Sequence, residues 1–600
     1  MCGIFALISS KPINDNSKFR KWALKCSQKI RHRGPDGTGY HQTRNVCFAH
    51  ERLAIMDPEG GNQPLKNKDA TLVLCVNGEI FNYEQLKLKY KNYHYKTGSD
   101  CEPILALYDY FYNKSADLAL SHQELCDILG ELDGQFSFVL HDTRSGQVFA
   151  ARDPFGITQC YYGMTKEGYV MIASEMKALE DCVSVSVLPG GSYLYFNVEN
   201  MELKPMHYFA HTEQGDWLVK DKSIEEPVFE YKNDGSSGMT LSQQKDLCHE
   251  IRDSFEYAVE KRLMTDVPFG ILLSGGLDSS LVASVAVKYI REHPEKYGAN
   301  PVIHTFSIGD KDGTDLPYAR KVAHFLGTRH HEINFTVEDG LNAIEDIIYY
   351  LETYDITTIR ASTPHYLLAR KIQSLGIKMV LSGEGSDELL GGYLYFHNAP
   401  TDEEHQMECK RRVLDLGYFD CLRADKSTMS NGLEGRYPFL DTDFVNLCIN
   451  IHKDIKTQKG IEKYILRKAF DVKDSDTADA KPVYLPDEVL WRQKEQFSDS
   501  VTYRWIDTLK SITDKEVMEN YRTAYNHRDY LYPFNTPHTT EAYYYRMAFE
   551  RMFPNREKTV KYWLPNTRWK GVASNDPSGR AQACHINTTV AGGSESIRKN

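Results

Sequence analysis

The chain is 600 residues long, too many for one hydrophobic core, so two or more domains are expected. Its 41% hydrophobic and 26% charged residues suit a globular protein, and a net charge of -12 argues against nucleic acid as a partner, which selects a basic face. No apolar run approaches the roughly 18 residues of a membrane helix, so no membrane association is expected. The 13 cysteines include no C-x-x-C pair and no clustering with histidine, which argues against a disulfide framework or a zinc site and fits a reducing, cytoplasmic location. The sequence opens without a basic, apolar leader, and the sequon Asn587-Thr588-Thr589 is read as chance.

Residues 2–205 read as short strands punctuated by glycine, with a few helices: an α+β domain. Residues 2–8 form an opening strand, and Phe19, Trp22, Ala23, Cys26 and Ile30 mark one face of a helix over 18–31. Further strands are expected at 71–76, 135–140 and 147–150. Residues 206–240 lose this pattern and form a linker region. From 241 to 555, helices alternate with short apolar strands (267–273, 302–308, 378–382), as in a parallel sheet covered by helices, an α/β domain. A loosely ordered tail is expected over 556–600.

Cys2 alone reads as a small buried hydrophobe. Its position changes the chemistry, because removal of Met1 leaves one residue carrying both a thiol nucleophile and a free α-amine to act as its base. That amine titrates near pH 8, so an appreciable part can accept the thiol proton at neutrality. The segments that follow supply the other needs of amide hydrolysis. Arg31-His32-Arg33-Gly34-Pro35-Asp36-Gly37 and Arg52 offer cations for an α-carboxylate. Glu79 and Asp100 offer carboxylates for an ammonium, and Asn77 with the Gly78 N–H could stabilise an oxyanion. Each segment alone reads as a turn or a solvated charge; together they are harder to dismiss.

In the second half, an apolar strand ending at Leu273 runs into Ser274-Gly275-Gly276-Leu277-Asp278-Ser279-Ser280 and then a helix, which points backbone N–H groups at a phosphate. No Gly-Lys-Ser/Thr follows, so this is not a Walker A loop. Asp278 suits Mg²⁺ rather than phosphate. The loop Ser382-Gly383-Glu384-Gly385-Ser386-Asp387 follows another strand and should share the same sheet edge. Asp387 is therefore a second candidate ligand for Mg²⁺, and Glu384 a candidate for proton transfer during amine attack. Thr357, Thr358 and Arg360 could hold a small dicarboxylate, and Lys463 could neutralise a departing pyrophosphate.

MCGIF, RHRGPDG, HERLAIMD, VNGEIFNY and TGSD, in this order, resemble the class II, N-terminal-nucleophile glutamine amidotransferases. That resemblance implies stacked antiparallel sheets flanked by helices, with Cys2 as nucleophile and Asn77 and Gly78 as oxyanion hole. It implies that Arg52 to Met56 (with Leu53, Ala54 and Ile55 between), Asn77, Gly78, Glu79 and Asp100 bind glutamine. SGGLDSS, ETYDITTIRAST, MVLSGEGSDELLGGY, RYPFLD, EKYILRKAF and WRQKEQFSD resemble the synthetase half of the asparagine synthetases and span nearly all of 240–550. This implies ATP contacts at Leu272, Ser274, Gly275, Gly276, Asp278, Ser279, Ile308, Ser382, Gly383 and Lys463. It also implies aspartate contacts at Thr357, Thr358 and Arg360, and a role for Glu384 in forming and breaking a β-aspartyl-AMP. The implied partners are glutamine, aspartate and ATP with Mg²⁺, and a homodimer is compatible with the sequence.

Two segments depart from that pattern. Gln159-Cys160 stands where the family usually has Pro-Leu, and Tyr437 where a smaller residue is common. Both bear on the transfer of ammonia between domains. Three rival readings are an amidotransferase for a different carboxylate, a β-lactam-forming synthetase, which would not need an intact Cys2, and a non-catalytic scaffold.

Overall fold

A computed structural model describes residues 1–115, 117, 119–209, 241–310, 313–473, 482–494 and 503–572. Its strands are β1 (Gly3–Ile8), β2 (Gly37–Gln42), β3 (Val46–Arg52), β4 (Leu65–Lys66), β5 (Leu72–Ile80), β6 (Gly134–Asp142), β7 (Gln147–Arg152), β8 (Tyr161–Thr165), β9 (Val170–Ala173), β10 (Cys182–Val187), β11 (Ser192–Asn197), β12 (Met206–His207), β13 (Phe269–Leu272), β14 (His304–Gly309), β15 (Arg329–Asn334), β16 (Met379–Leu381) and β17 (Glu434–Arg436).

The N-terminal half stacks two sheets, ordered β10-β8-β9-β1-β3-β2 and β12-β11-β7-β6-β5-β4, with antiparallel pairing throughout. β1 is apolar along its whole length because both its faces are buried. Ile4, Ala6 and Ile8 meet Val73, Cys75 and Val139 of the other sheet, while Phe5 and Leu7 pack under Ala23, Cys26 and Ile30. The helix bearing Ala23 spans Asn16–Gln28, capped by Asp15 accepting from Lys18 N at 3.0 Å. It ends three residues before the expected limit, and Arg31–Arg33 form a 3₁₀ turn that drops Arg33 into the interior. Helices Pro103–Lys114 and His122–Gly130 cover the outer face of the second sheet.

The C-terminal half carries a parallel sheet ordered β15-β14-β13-β16-β17. Helices Leu277–Glu292 and Ile356–Gln373 are among those that cover it. The three expected strands match β13, β14 and β16 to within two residues at each end, whereas β15 and β17 were not expected from the sequence.

The expected loose tail needs correction over its first part. Val560, Trp563 and Trp569 are buried, and Trp563 N donates to Asp355 Oδ1 at 2.8 Å. Isolated tryptophans anchor this stretch without any period that a sequence pattern could reveal. Residues from 573 onward, most of the expected linker (210–240) and the EQFSD part of the WRQKEQFSD motif lie outside the described residues.

Candidate active sites and the seam between them

β1 and β5 carry the nucleophile and its neighbours. The Cys2 backbone N–H donates to Asn77 Oδ1 at 2.7 Å, which leaves Asn77 Nδ2 buried and without a partner. Cys2 Sγ accepts from Leu53 N at 3.4 Å, so the thiol is aimed by the loop that follows β3. Burial pushes the thiol pKa up, and the charge of the chain's α-amine opposes this. Gly78 has a φ of 147°, and a Cβ there would lie 2.0 Å from the Gln135 carbonyl, so only glycine fits.

Around the thiol, Leu53, Ala54 and Ile55 are buried, Met56 is partly so, and Ala54 N donates to Asp36 Oδ2 at 2.8 Å. Arg52 is held by the carbonyls of Pro58 and Asp57 and by Asn62 Oδ1, at 2.6–2.9 Å. Asp100 accepts from Ile80 N at 2.8 Å, and Glu79 Oε2 has no hydrogen-bond partner. Burial first, then the charge of Asp100, raise Glu79 well above an ordinary carboxyl. An orphan amide donor, an orphan carboxylate oxygen and an apolar-walled thiol thus converge, as amide hydrolysis requires.

The second site opens at the ends of β13, β14 and β16. Leu272, Ser274, Gly276, Asp278, Ser279 and Ile308 line it from one side, and Ser382, Gly383, Glu384 and Asp387 from the other. Gly275 (φ 83°) would place a Cβ 2.4 Å from Ala319 N, so the turn demands glycine. The two loops touch directly, with Ser386 Oγ donating to Asp278 Oδ1 at 2.8 Å.

Lys463 Nζ bridges Asp278 (2.7 Å) and Asp387 (2.6 Å), and Lys494 Nζ reaches Asp387 at 2.7 Å. Burial would raise Asp387, but Lys463 and Lys494 outweigh it and hold the carboxylate below the usual range. Two carboxylates converging on one cationic position form a donor set that suits Mg²⁺, with the ammonium as stand-in. Lys463 also holds φ at 54°, a left-handed conformation uncommon for lysine that marks a constrained position.

Helix Ile356–Gln373 divides the expected dicarboxylate residues. Thr357 faces the cavity with its Oγ1 buried and unpartnered, as do Ala361 and His365 at four-residue spacing. Thr358 instead donates to Asp355 Oδ2 at 2.7 Å as part of the helix cap, and Arg360 pairs with Glu541 at 2.5–2.8 Å. Neither lines the cavity, because helical geometry turns positions 358 and 360 away from the face set by 357. The structure corrects the expectation for these two.

Arg423, not singled out from the sequence, grips Glu384 with both guanidinium arms (2.5 and 3.2 Å) and supplies the cavity with a cation. It lies 3.5 Å from His365 Nδ1, whose pKa burial and Arg423 push down to about 3.

Between the sites, Met1, Cys2, Leu53, Ile55, Met379 and Met429 form a continuous apolar cluster. An ionic lattice flanks it. Arg33 donates to the Cys2 carbonyl (2.9 Å), Glu175 (2.8 Å) and Asp425 (2.8 Å), and Lys426 pairs with Glu352 (2.6 Å). Gln159 and Cys160 are wholly buried. Gln159 Nε2 reaches the Gly417 carbonyl at 3.3 Å, a hydrogen bond across the domain junction. Tyr437 is buried with its hydroxyl unpartnered. Such cross-domain pairings carry no local sequence signal.

No described helix is long and apolar enough to cross a membrane. A family model described as a glutamine amidotransferase domain matches residues 1–227, and one described as asparagine synthase matches 250–413 and 399–574. A probable glutamine-hydrolysing asparagine synthetase of Dictyostelium discoideum is 46% identical, covering 98% of this chain and 100% of its own. Glutamine-hydrolysing asparagine synthetases of Zea mays (44% identical, 98% and 94% covered) and Arabidopsis thaliana (44%, 97% and 93%) are similarly related. With an amide-hydrolysing site and a nucleotide site joined by one seam, the chain belongs to the glutamine-hydrolysing asparagine synthetases, a family of carbon–nitrogen ligases.

Proposed function

We propose that the chain makes asparagine from aspartate, ATP and glutamine, with its residues acting as follows. The α-amine freed on Cys2 by loss of Met1 takes the thiol proton, and the sulfur attacks the side-chain carbonyl carbon of glutamine. Asn77 Nδ2 and the Gly78 N–H receive the oxyanion, while Arg52 holds the α-carboxylate, Glu79 and Asp100 hold the α-ammonium, and the 53–56 loop walls the site. The C–N bond breaks as the amine returns its proton to the leaving nitrogen, giving ammonia and a γ-glutamyl thioester. Water then attacks the thioester, releasing glutamate and restoring the thiol.

In the second site a β-carboxylate oxygen of aspartate attacks the α-phosphorus of ATP, and pyrophosphate leaves. Leu272, Ile308, Ser382 and Gly383 cradle the adenosine part, the 274–279 loop faces the phosphates, and Lys463 neutralises the leaving group. Asp278 and Asp387 would hold Mg²⁺, whose charge offsets that of the phosphates when bound. Thr357, His365 and Arg423 are the groups placed to receive aspartate, in place of Thr358 and Arg360. Ammonia attacks the β-aspartyl-AMP carbonyl, AMP departs, and Glu384 takes the proton that the new amide sheds.

The apolar cluster from Cys2 to Met379 supports passage of ammonia in its uncharged, nucleophilic form, because a dry apolar wall disfavours ammonium. The twelve described cysteines, buried and outside any disulfide, support a reducing, cytoplasmic location.

The observation that carries this reading is the orphaned Asn77 Nδ2 beside a thiol whose backbone N–H is tied to the same side chain. The test is pyrophosphate release with ATP, glutamine and a panel of carboxylates. Aspartate should be preferred over every other carboxylate, and equal rates with the others would end the substrate assignment.

A further inference from the structure

The glutamine site is walled on one side by the other domain. β17 is the edge strand of the parallel sheet, and its three residues each reach across. Glu434 Oε2 pairs with the α-amine of Met1. The Gly435 carbonyl accepts from Gln135 Nε2 at 2.9 Å, and Arg436 Nη2 lies 3.3 Å from Glu79 Oε2. Gln135 and Glu79 face each other across the β5–β6 ladder, so one hairpin of the first domain is seated on one strand of the second.

Arg436 is wholly buried and well anchored. Its Nε donates to Glu434 at 2.7 Å, and its Nη1 donates to the carbonyls of Arg262 (3.0 Å) and Met264. Its Nη2 and Glu79 Oε2 lack hydrogen-bond partners, although they face one another. Two buried groups of opposite charge that face one another at 3.3 Å without an aligned hydrogen bond leave capacity for a third, and an ammonium fits at Glu79. On the same residue, the Arg436 carbonyl accepts from Ser382 N at 2.9 Å, at the lip of the nucleotide site.

We infer that Arg436, a synthetase-domain residue, is a positioning residue of the glutamine site that aims Glu79 at the α-ammonium of glutamine and opposes the loss of its charge. Glu79 sits beside Asp100 in a dry environment, and both circumstances favour its neutral form. Arg436 is the guanidinium that opposes them. Removing Met1 takes away the α-amine partner of Glu434 and leaves Glu434 to Arg436 Nε alone, so the cation stays anchored in the processed chain.

The inference rests on the reading that Glu79 holds glutamine, and the experiment separates the two. Full-length Glu79→Gln, Arg436→Met, Arg436→Lys and the double variant Glu79→Gln/Arg436→Met are compared for glutamine KM, glutamine-dependent kcat and ammonia-dependent pyrophosphate release. Arg436→Met should raise KM for glutamine about tenfold or more, with ammonia-dependent synthesis within about twofold of the parent. The double variant should be no worse than Glu79→Gln alone, because Arg436 acts through Glu79. Arg436→Lys should regain most of the lost affinity, which also serves if the Met variant does not fold.

If Glu79→Gln leaves KM unchanged, the glutamine-site reading fails. If Glu79→Gln raises KM and Arg436→Met does not, only the inference fails. It fails also if Arg436→Met depresses both activities equally or if the two substitutions multiply.

Discussion

Lys463 Nζ lies 2.7 Å from Asp278 Oδ2, where the loop after β13 meets the loop after β16. Asp387 stands 2.6 Å from the same nitrogen, so removing the ammonium leaves two neighbouring carboxylates with Lys494 as their remaining cation. Lys463→Met should lower the rate of pyrophosphate release by about 10²-fold or more, the usual cost of one preorganised charge donor. Glutamine hydrolysis should persist. The Tm of the variant should rise with added Mg²⁺ more than that of the parent, because a divalent cation relieves the repulsion. A thermal shift with no greater Mg²⁺ response would remove Asp278 and Asp387 as its ligands.

Cys2→Ala should abolish glutamine-dependent synthesis and leave ammonia-dependent synthesis, since the thiol touches only the first site. Pyrophosphate release with ammonium chloride checks this. Loss of both activities would mean that the two sites are not separable.

Tyr437 carries a buried hydroxyl without a partner, which costs the folded state its desolvation. Tyr437→Phe keeps the ring and removes the orphan, so stability should rise by about 1 kcal/mol in urea unfolding. A destabilised variant would show that the hydroxyl is satisfied after all.

Strands β1, β5, β6, β7, β13, β14 and β16 and both catalytic loops were legible because their signals are local: a continuous apolar run, a glycine turn, a helix start. Thr357, Thr358 and Arg360 were legible as a group but not as individuals, because only the phase of the helix decides which faces the cavity. Arg33 was legible only as a candidate cation for the α-carboxylate, not as a tie between the domains, and Arg423 and Arg436 were not legible as site residues. Their partners lie in other elements, at the extreme 392 positions apart for Arg33 and Asp425, and charge alone does not announce such a pairing.

Four buried histidines set an acid limit on stability. Burial pushes His50 and His141 down to about 4 and His365 and His405 to about 3. Between those values and the unfolded value near 6.5, the unfolded chain binds more protons, so stability rises with pH and is lost as pH falls below about 6.5. Each should cost about 2 kcal/mol by pH 5. Urea unfolding at pH 7, 6 and 5 measures the slope. His141→Asn should flatten it by one proton's worth, whereas an unchanged slope would remove that residue from the account.

Lys426 tests whether the lattice between the domains holds them together. Its ammonium is wholly buried, 2.6 Å from Glu352 and 2.8 Å from the Tyr161 hydroxyl of the first domain. Glu352 in turn accepts from the backbone N–H groups of Met176 and Lys177 at 2.8 and 2.6 Å. Lys426→Met leaves Glu352 short of one counter-charge in a dry seam and should destabilise the protein by about 3–5 kcal/mol. Adding Glu352→Gln removes the stranded charge and should return much of that loss, since neutral partners of similar shape bury at little cost. The paired variant should also use more glutamine per asparagine formed, because the seam that keeps ammonia from solvent loses an anchor. A double-mutant cycle in urea, with glutamate and asparagine measured in the same preparations, reads both effects. Additive destabilisation would show that the two residues do not act as a pair.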